Sequence, residues 1–182
     1  MRQATGSVFA VALFASVGLT AAPAGSAVAT GPTCKTFVAS VTVRPALPKL
    51  GSNLVVNATV SSIGHIGGCT GGGVTGAAFT DSYKYKGNCT TFVTGKGGVT
   101  KAGPSSLSWS NGKPSVATTT AALASKAGAM PVILELTSKI TKGQFAGTSA
   151  SGKVKAVAPG GSCTKTGLAK ATLTGAGSFT FK

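Results

Sequence analysis

The chain has 182 residues, with 17 Lys or Arg set against two carboxylates, Asp81 and Glu135, and one imidazole, His65, for a net charge of +15. Hydrolytic and metal-dependent chemistry draws on carboxylates or imidazoles in clusters, so this composition argues against most acid–base and metal mechanisms before any motif is considered. Hydrophobic residues make up 42% of the chain, which is enough to fill a core.

Residues 1–29 read as a secretory signal. Arg2 is followed by an apolar run from Val8 to Leu19 and a small-x-small site at Ala27-Val28-Ala29. The run is shorter than the roughly 20 residues of a membrane-spanning helix, and Pro23 and Gly25 interrupt its continuation. Thr30-Gly31-Pro32-Thr33 does not suit lipid attachment at Cys34. The expected mature protein is therefore residues 30–182, a single exported domain, extracellular or associated with the cell wall. Its four cysteines, Cys34, Cys69, Cys89 and Cys163, imply two disulfides in an oxidising compartment. Of the three possible pairings, Cys34–Cys69 with Cys89–Cys163 is the expected one, the first tying the N-terminal strand to the loop after the second strand. No short C-x-x-C spacing supports a metal site or a redox pair, and no cofactor is called for.

From there the chain alternates with period two. Phe37, Ala39, Val41 and Val43 share one face of a first strand, which Pro45 and Pro48 are expected to end. Leu54, Val56, Ala58 and Val60 form the second, and Gly64–Gly73, carrying His65 and Cys69, reads as a loop. In the next strand Phe79, Asp81, Tyr83 and Tyr85 lie on one face and Lys84 and Lys86 on the other, and Gly87-Asn88 turns the chain toward Cys89–Val93. A long loop is expected over 94–104. Ser106–Ser110 and Lys113–Ala117 flank Asn111-Gly112, the signature of a type I′ hairpin with Trp109 facing Pro114 and Leu107 facing Val116. The alanine-rich stretch Thr119–Lys126 reads as strand because of its threonines. Val132, Leu134, Leu136 and Ile140 point one way, with Ile133, Glu135 and Lys139 opposite. Ser149–Val157 carries Lys153 and Lys155 on one face, Pro159-Gly160-Gly161 makes a loop, and the last strand, Ala171–Phe181, points Leu173, Phe179 and Phe181 inward. Eight or nine strands with mostly short turns and no helix of useful length predict an all-β fold. An antiparallel up-and-down β-barrel is expected, with a β-sandwich as the alternative.

Cys69-Thr70-Gly71-Gly72-Gly73, the Trp109-Ser110-Asn111-Gly112 hairpin, Gly161-Ser162-Cys163 and Leu173–Phe179 resemble stretches of uncharacterised secreted β-rich proteins of actinobacteria, which also carry a signal peptide and two cysteine pairs. That resemblance brings no known activity. Gly143-Gln144-Phe145-Ala146-Gly147 is similar to a turn in dirigent and allene-oxide-cyclase-like barrels, which implies a barrel, although the acidic residues those enzymes use have no counterpart here.

For function, Asp81 and Glu135 are the only possible carboxylate pair, and His65 lacks a G-x-S-x-G partner for triad chemistry. Asp81, Tyr83, Tyr85 and Trp109 are the candidate ligand-lining residues. Of the basic residues only Arg2 and Arg44 are arginines, so the charge is carried by lysine point charges rather than bidentate forks. That composition suits nonspecific attraction to polyanions, namely cell-wall polymers, anionic lipids or extracellular DNA, with Lys84, Lys86, Lys153 and Lys155 as candidate anion contacts. Sequence-specific nucleic-acid reading is not expected, because alternation separates the tyrosines and lysines of Tyr83-Lys84-Tyr85-Lys86. The leading expectation is a non-enzymatic, basic, secreted domain held electrostatically on anionic envelope material. The alternative is a carrier of a small apolar ligand inside the barrel, and a carboxylate-dependent enzyme ranks third.

Overall fold

The computed structural model describes residues 30–126, 131–158 and 162–182; the expected signal segment and the expected loop at 159–161 lie outside them. Its strands are β1 (Thr33–Cys34), β2 (Thr36–Leu47), β3 (Val56–Gly67), β4 (Gly76–Gly87), β5 (Gly98–Ala102), β6 (Ser105–Trp109), β7 (Pro114–Leu123), β8 (Val132–Gly143), β9 (Ser149–Val157), β10 (Leu168–Gly175) and β11 (Phe179–Thr180). Two short helices, α1 (Cys89–Thr94) and α2 (Ser162–Lys165), interrupt them. Each long strand pairs antiparallel with the next, and β10 returns to β2, so β2, β3, β4, β6, β7, β8, β9 and β10 close an eight-stranded up-and-down barrel. The sandwich alternative is thereby excluded. β5 and β6 run one after the other along β4, β5 beside Tyr83–Lys86 and β6 beside Ala77–Thr80, as two halves of one interrupted strand.

The alternation read from the sequence sets which side chains go inside. Ala39, Val43, Ala58, Val60, Ala77, Leu107, Ala117, Val132, Ile140 and Val154 are buried, while their neighbours in each strand face out. The outer face is largely Ser, Thr and Lys, the reverse of a membrane barrel, whose outer face is an apolar band. No described helix is long and apolar enough to cross a membrane.

Both barrel ends are stoppered. At one end Trp109 packs edge-on against Phe145 and Phe181, with ring centroids 5.0 and 5.6 Å away. Phe37 stacks there on Phe79 and Phe179. The Cys34–Cys69 disulfide and the β1–β11 ribbon cover this aromatic end. At the opposite, helical end the Cys89–Cys163 disulfide joins α1 to α2 over Leu47, Leu168 and Tyr85. Both expected disulfide pairings are thus present.

Local departures from the sequence reading have identifiable causes. β2 continues through Pro45, because the β3 ladder has ended at Arg44 and the β10 ladder is irregular between Leu168 and Lys170, so no neighbour requires the missing N–H. β3 begins at Val56 and runs through His65, leaving Leu54 in the preceding loop, 62% exposed, and the predicted 64–73 loop shortened. Cys89–Thr94 is helical because the Asn88 side chain accepts the Thr91 N–H while the Thr91 hydroxyl accepts the Asn88 N–H, a reciprocal cap. The expected 94–104 loop contains β5. The expected last strand breaks after Gly175, so that β11 turns away to pair with β1.

The Asn111-Gly112 hairpin departs most consequentially. The turn holds three residues, Ser110 to Gly112, with only Gly112 at positive φ (79°); the Trp109 N–H donates to the Lys113 carbonyl and the Trp109 carbonyl accepts the Gly112 N–H. Leu107 therefore faces Ser115 rather than Val116, and Ser108 faces Pro114. Because side chains alternate, this slip turns Ser115 and Ala117 inward in place of Pro114 and Val116. Ser115 Oγ then accepts the Trp109 Nε1–H at 2.9 Å and donates to the Gln144 carbonyl at 2.6 Å, joining β6, β7 and the β8–β9 connection at the aromatic end. Ser115→Ala would leave the buried indole N–H and the Gln144 carbonyl without these partners. It should lower the unfolding free energy by about 1–3 kcal/mol in urea titrations, more than a solvent-facing Ser108→Ala change.

Candidate functional site

Between the two stoppers several inward positions are short or polar, and a cavity of about 120 Å³ remains. Gly152 contributes to this boundary: a side-chain carbon there would fall 2.3 Å from the Phe179 ring, so the strand can pass the ring only as glycine. One wall of the cavity is apolar, formed by Phe37, Leu134, Leu136, Ala150, Leu173 and Phe179. The other wall bears a polar group on each of five neighbouring strands: Ser62 on β3, Asp81 on β4, Ser105 on β6, Thr119 on β7 and Ser138 on β8. Ser62 stands directly opposite Asp81 across the ladder. The hydroxyls of Ser105 and Thr119 lie 3.1 Å apart, and Thr119 Oγ1 donates to Ser138 Oγ at 3.1 Å. These positions gave no signal in the sequence beyond their place in the alternation, since serine and threonine also fill the outer face.

The interrupted strand supplies an opening. Among the described residues no ladder joins β5 to the C-terminal half of β7, whose Thr118–Leu123 pairs only with β8. The break falls at Gly103-Pro104. Proline brings no N–H, and a side-chain carbon on Gly103 would lie 2.1 Å from the Ser82 carbonyl oxygen. Gly103, Thr120 and Ala121 edge this seam and line the cavity, with Asp81 and Ser105 just inside.

Of the four candidate ligand-lining residues, Asp81 and Tyr83 lie on this cavity. Tyr83, Leu134 and Leu173 also bound a smaller space of about 40 Å³ toward the helical end. Tyr85 lines that smaller space and packs edge-on to Phe92. Trp109 lies in the aromatic stopper, 2% exposed. Glu135 points outward opposite Lys153, on the other face of the wall from Asp81, so the two carboxylates share no site. His65 is exposed on β3 rather than in a loop. Lys84 and Lys86 project outward from β4, and Lys84 bonds the Thr59 hydroxyl. Arg44, Thr59 and Lys84 follow one another across β2, β3 and β4, and Lys153 and Lys155 project from β9. Among the described residues no cluster of three metal-ligating side chains occurs.

Burial pushes the Asp81 carboxyl above its ordinary 3.8, while hydrogen bonds from the Ser105 side chain and the Ser82 backbone pull more weakly the other way. Tyr83 is pushed up to about 12 by burial first, then by the nearby Asp81 charge and Tyr85. Burial also raises Tyr85, opposed by its bond to Thr91. A raised native pKa means that the folded chain holds the Asp81 proton more tightly than the unfolded chain does. The stabilisation is complete below 3.8 and is lost as pH rises through the native value. Asp81→Asn should therefore raise the melting temperature at neutral pH, and the gain should shrink as pH is lowered toward about 4 in thermal melts.

No family model, curated protein or solved structure matches this chain.

Proposed function

We propose that this protein is an exported, non-catalytic binder of a small amphipathic molecule held inside its barrel. The observation that carries this reading is the two-sided cavity. Eight-stranded barrels are just wide enough either to be filled by side chains or to hold one small ligand, and here the middle layer leaves space beside a polar belt. Its size suits about six non-hydrogen atoms of ligand body, by comparison with an engineered ~150 Å³ apolar cavity that takes benzene. The signal-like residues 1–29 and the two disulfides support export. The separation of Asp81 from Glu135 supports a role without two-carboxylate chemistry. Titration with 1-hexanol, followed by calorimetry, should show saturable binding. Ala150→Phe, which places a ring in the cavity, should abolish that binding while the protein still melts cooperatively. Equal binding by the filled variant would overturn the reading.

A second reading concerns the outer surface and is favoured by where the lysines fall. Lys49, Lys86, Lys96, Lys155, Lys165 and Lys170 are all exposed on the strand ends and connections of the helical end. Glu135 is the single acidic side chain on the outer wall among the described residues. This end suits loose association with anionic wall polymers, lipids or extracellular DNA, which would keep a carrier near the cell that exports it. Retention on purified cell wall should fall steeply between about 0.05 and 0.5 M salt, the range over which the screening length shrinks below the spacing of surface charges. Neutralising Lys86, Lys165 and Lys170 together should weaken it further.

A further inference from the structure

Asp81 is the one charged side chain lining the cavity, and no Lys, Arg or His faces it among the described residues. Its neighbours are hydroxyls: Ser105 beside it, Ser62 across the ladder, and Tyr83 two residues along the same face. Tyr83 lines both this cavity and the smaller space toward the helical end. Hydroxyls can solvate a carboxylate but cannot neutralise it, and a half-buried charge without a counter-charge is costly. An asparagine would satisfy the same hydroxyls at no such cost, so the carboxylate supplies something that hydrogen bonding alone does not require.

Resting on the interior-binding reading above, we propose that the cavity takes an amphiphile with an ammonium head. The head sits on Asp81 with its remaining N–H groups toward the oxygens of Ser62, Ser105 and Tyr83, and the body lies on Leu134, Leu136 and Leu173. An ammonium group brings three donors, one for Asp81 and two for the hydroxyl oxygens around it, together with the missing positive charge. The net charge of +15 opposes the approach of a cation from a distance. That repulsion is screened beyond about 8 Å at ~0.15 M salt, while the contact inside the wall is not. The seam opens beside Asp81, so the head lies near the mouth and the body reaches inward to the apolar wall.

The test compares n-hexylamine with 1-hexanol, equal in length and different in charge, by calorimetry on the wild type, Asp81→Asn and the outward-facing control Glu135→Gln. The wild type should bind the amine about tenfold or more tightly than the alcohol, as expected for a hydrogen bond to a charged group. Asp81→Asn should erase that preference while still binding the alcohol, and Glu135→Gln should keep it. If the wild type binds the alcohol as well as the amine or better, the ammonium assignment falls and the interior-binding reading survives. If Asp81→Asn keeps the preference, Asp81 is not the partner and the assignment falls. If the wild type binds neither probe, both readings fall together.

Discussion

Closure of the sheet is the constraint on which the rest depends. Once β10 pairs with β2, eight strands enclose an interior of fixed width, and every inward side chain must share it. This chain divides that space unevenly. Large rings collect at the aromatic end and leucines and valines at the helical end, each with a disulfide, and the layer between sets serine, threonine, alanine and glycine beside Asp81, Tyr83 and three leucines. The hollow thus follows from where bulk was placed along each strand rather than from a loosely packed core. The stoppers are themselves well made, with rings at stacking or edge-on distances and the buried indole N–H bonded.

Much of this could be read from the residues. The alternation of Phe37, Ala39, Val41 and Val43, or of Val132, Leu134 and Leu136, needs only the two-residue period of a strand to say which side is in. The barrel followed from such runs and from their order, while the cysteine pairing was the favoured one of three. The illegible parts depended on events outside the local pattern. Whether Asn111-Gly112 closes a two- or a three-residue turn changes no residue, yet it decides that Ser115 rather than Val116 enters the core. The helix at Cys89–Thr94 hides among strand-forming threonines and is set by the single cap at Asn88, whose amide also binds the carbonyls of Ser52 and Leu54. Of the site, Asp81 and Tyr83 stood out because their residue types are rare here. Ser62, Ser105, Thr119 and Ser138 could not, since only the register across five strands lines them up.

The charge imbalance also acquires a geometry. Among the described side chains the positive ones are exposed and outside, and the two negative ones divide, Glu135 outward beside Lys153 and Asp81 inward among hydroxyls. Among the described residues the barrel wall therefore separates a cationic exterior from an interior whose only formal charge is negative. A long-range field and a short-range contact can then act on different molecules, the first on polyanions in bulk and the second on whatever fits inside.

The break at Gly103-Pro104 has a kinetic meaning. In a fully laced barrel, passage through the wall would require neighbouring strands to unzip, and its rate would follow the stability of the fold. Here the two strand edges beside the gap share no rungs, so traffic through it sacrifices none of the ladder. Under the interior-binding proposal, the lifetime of a guest would then be set by the grip of the interior rather than by the opening of the disulfide-linked shell.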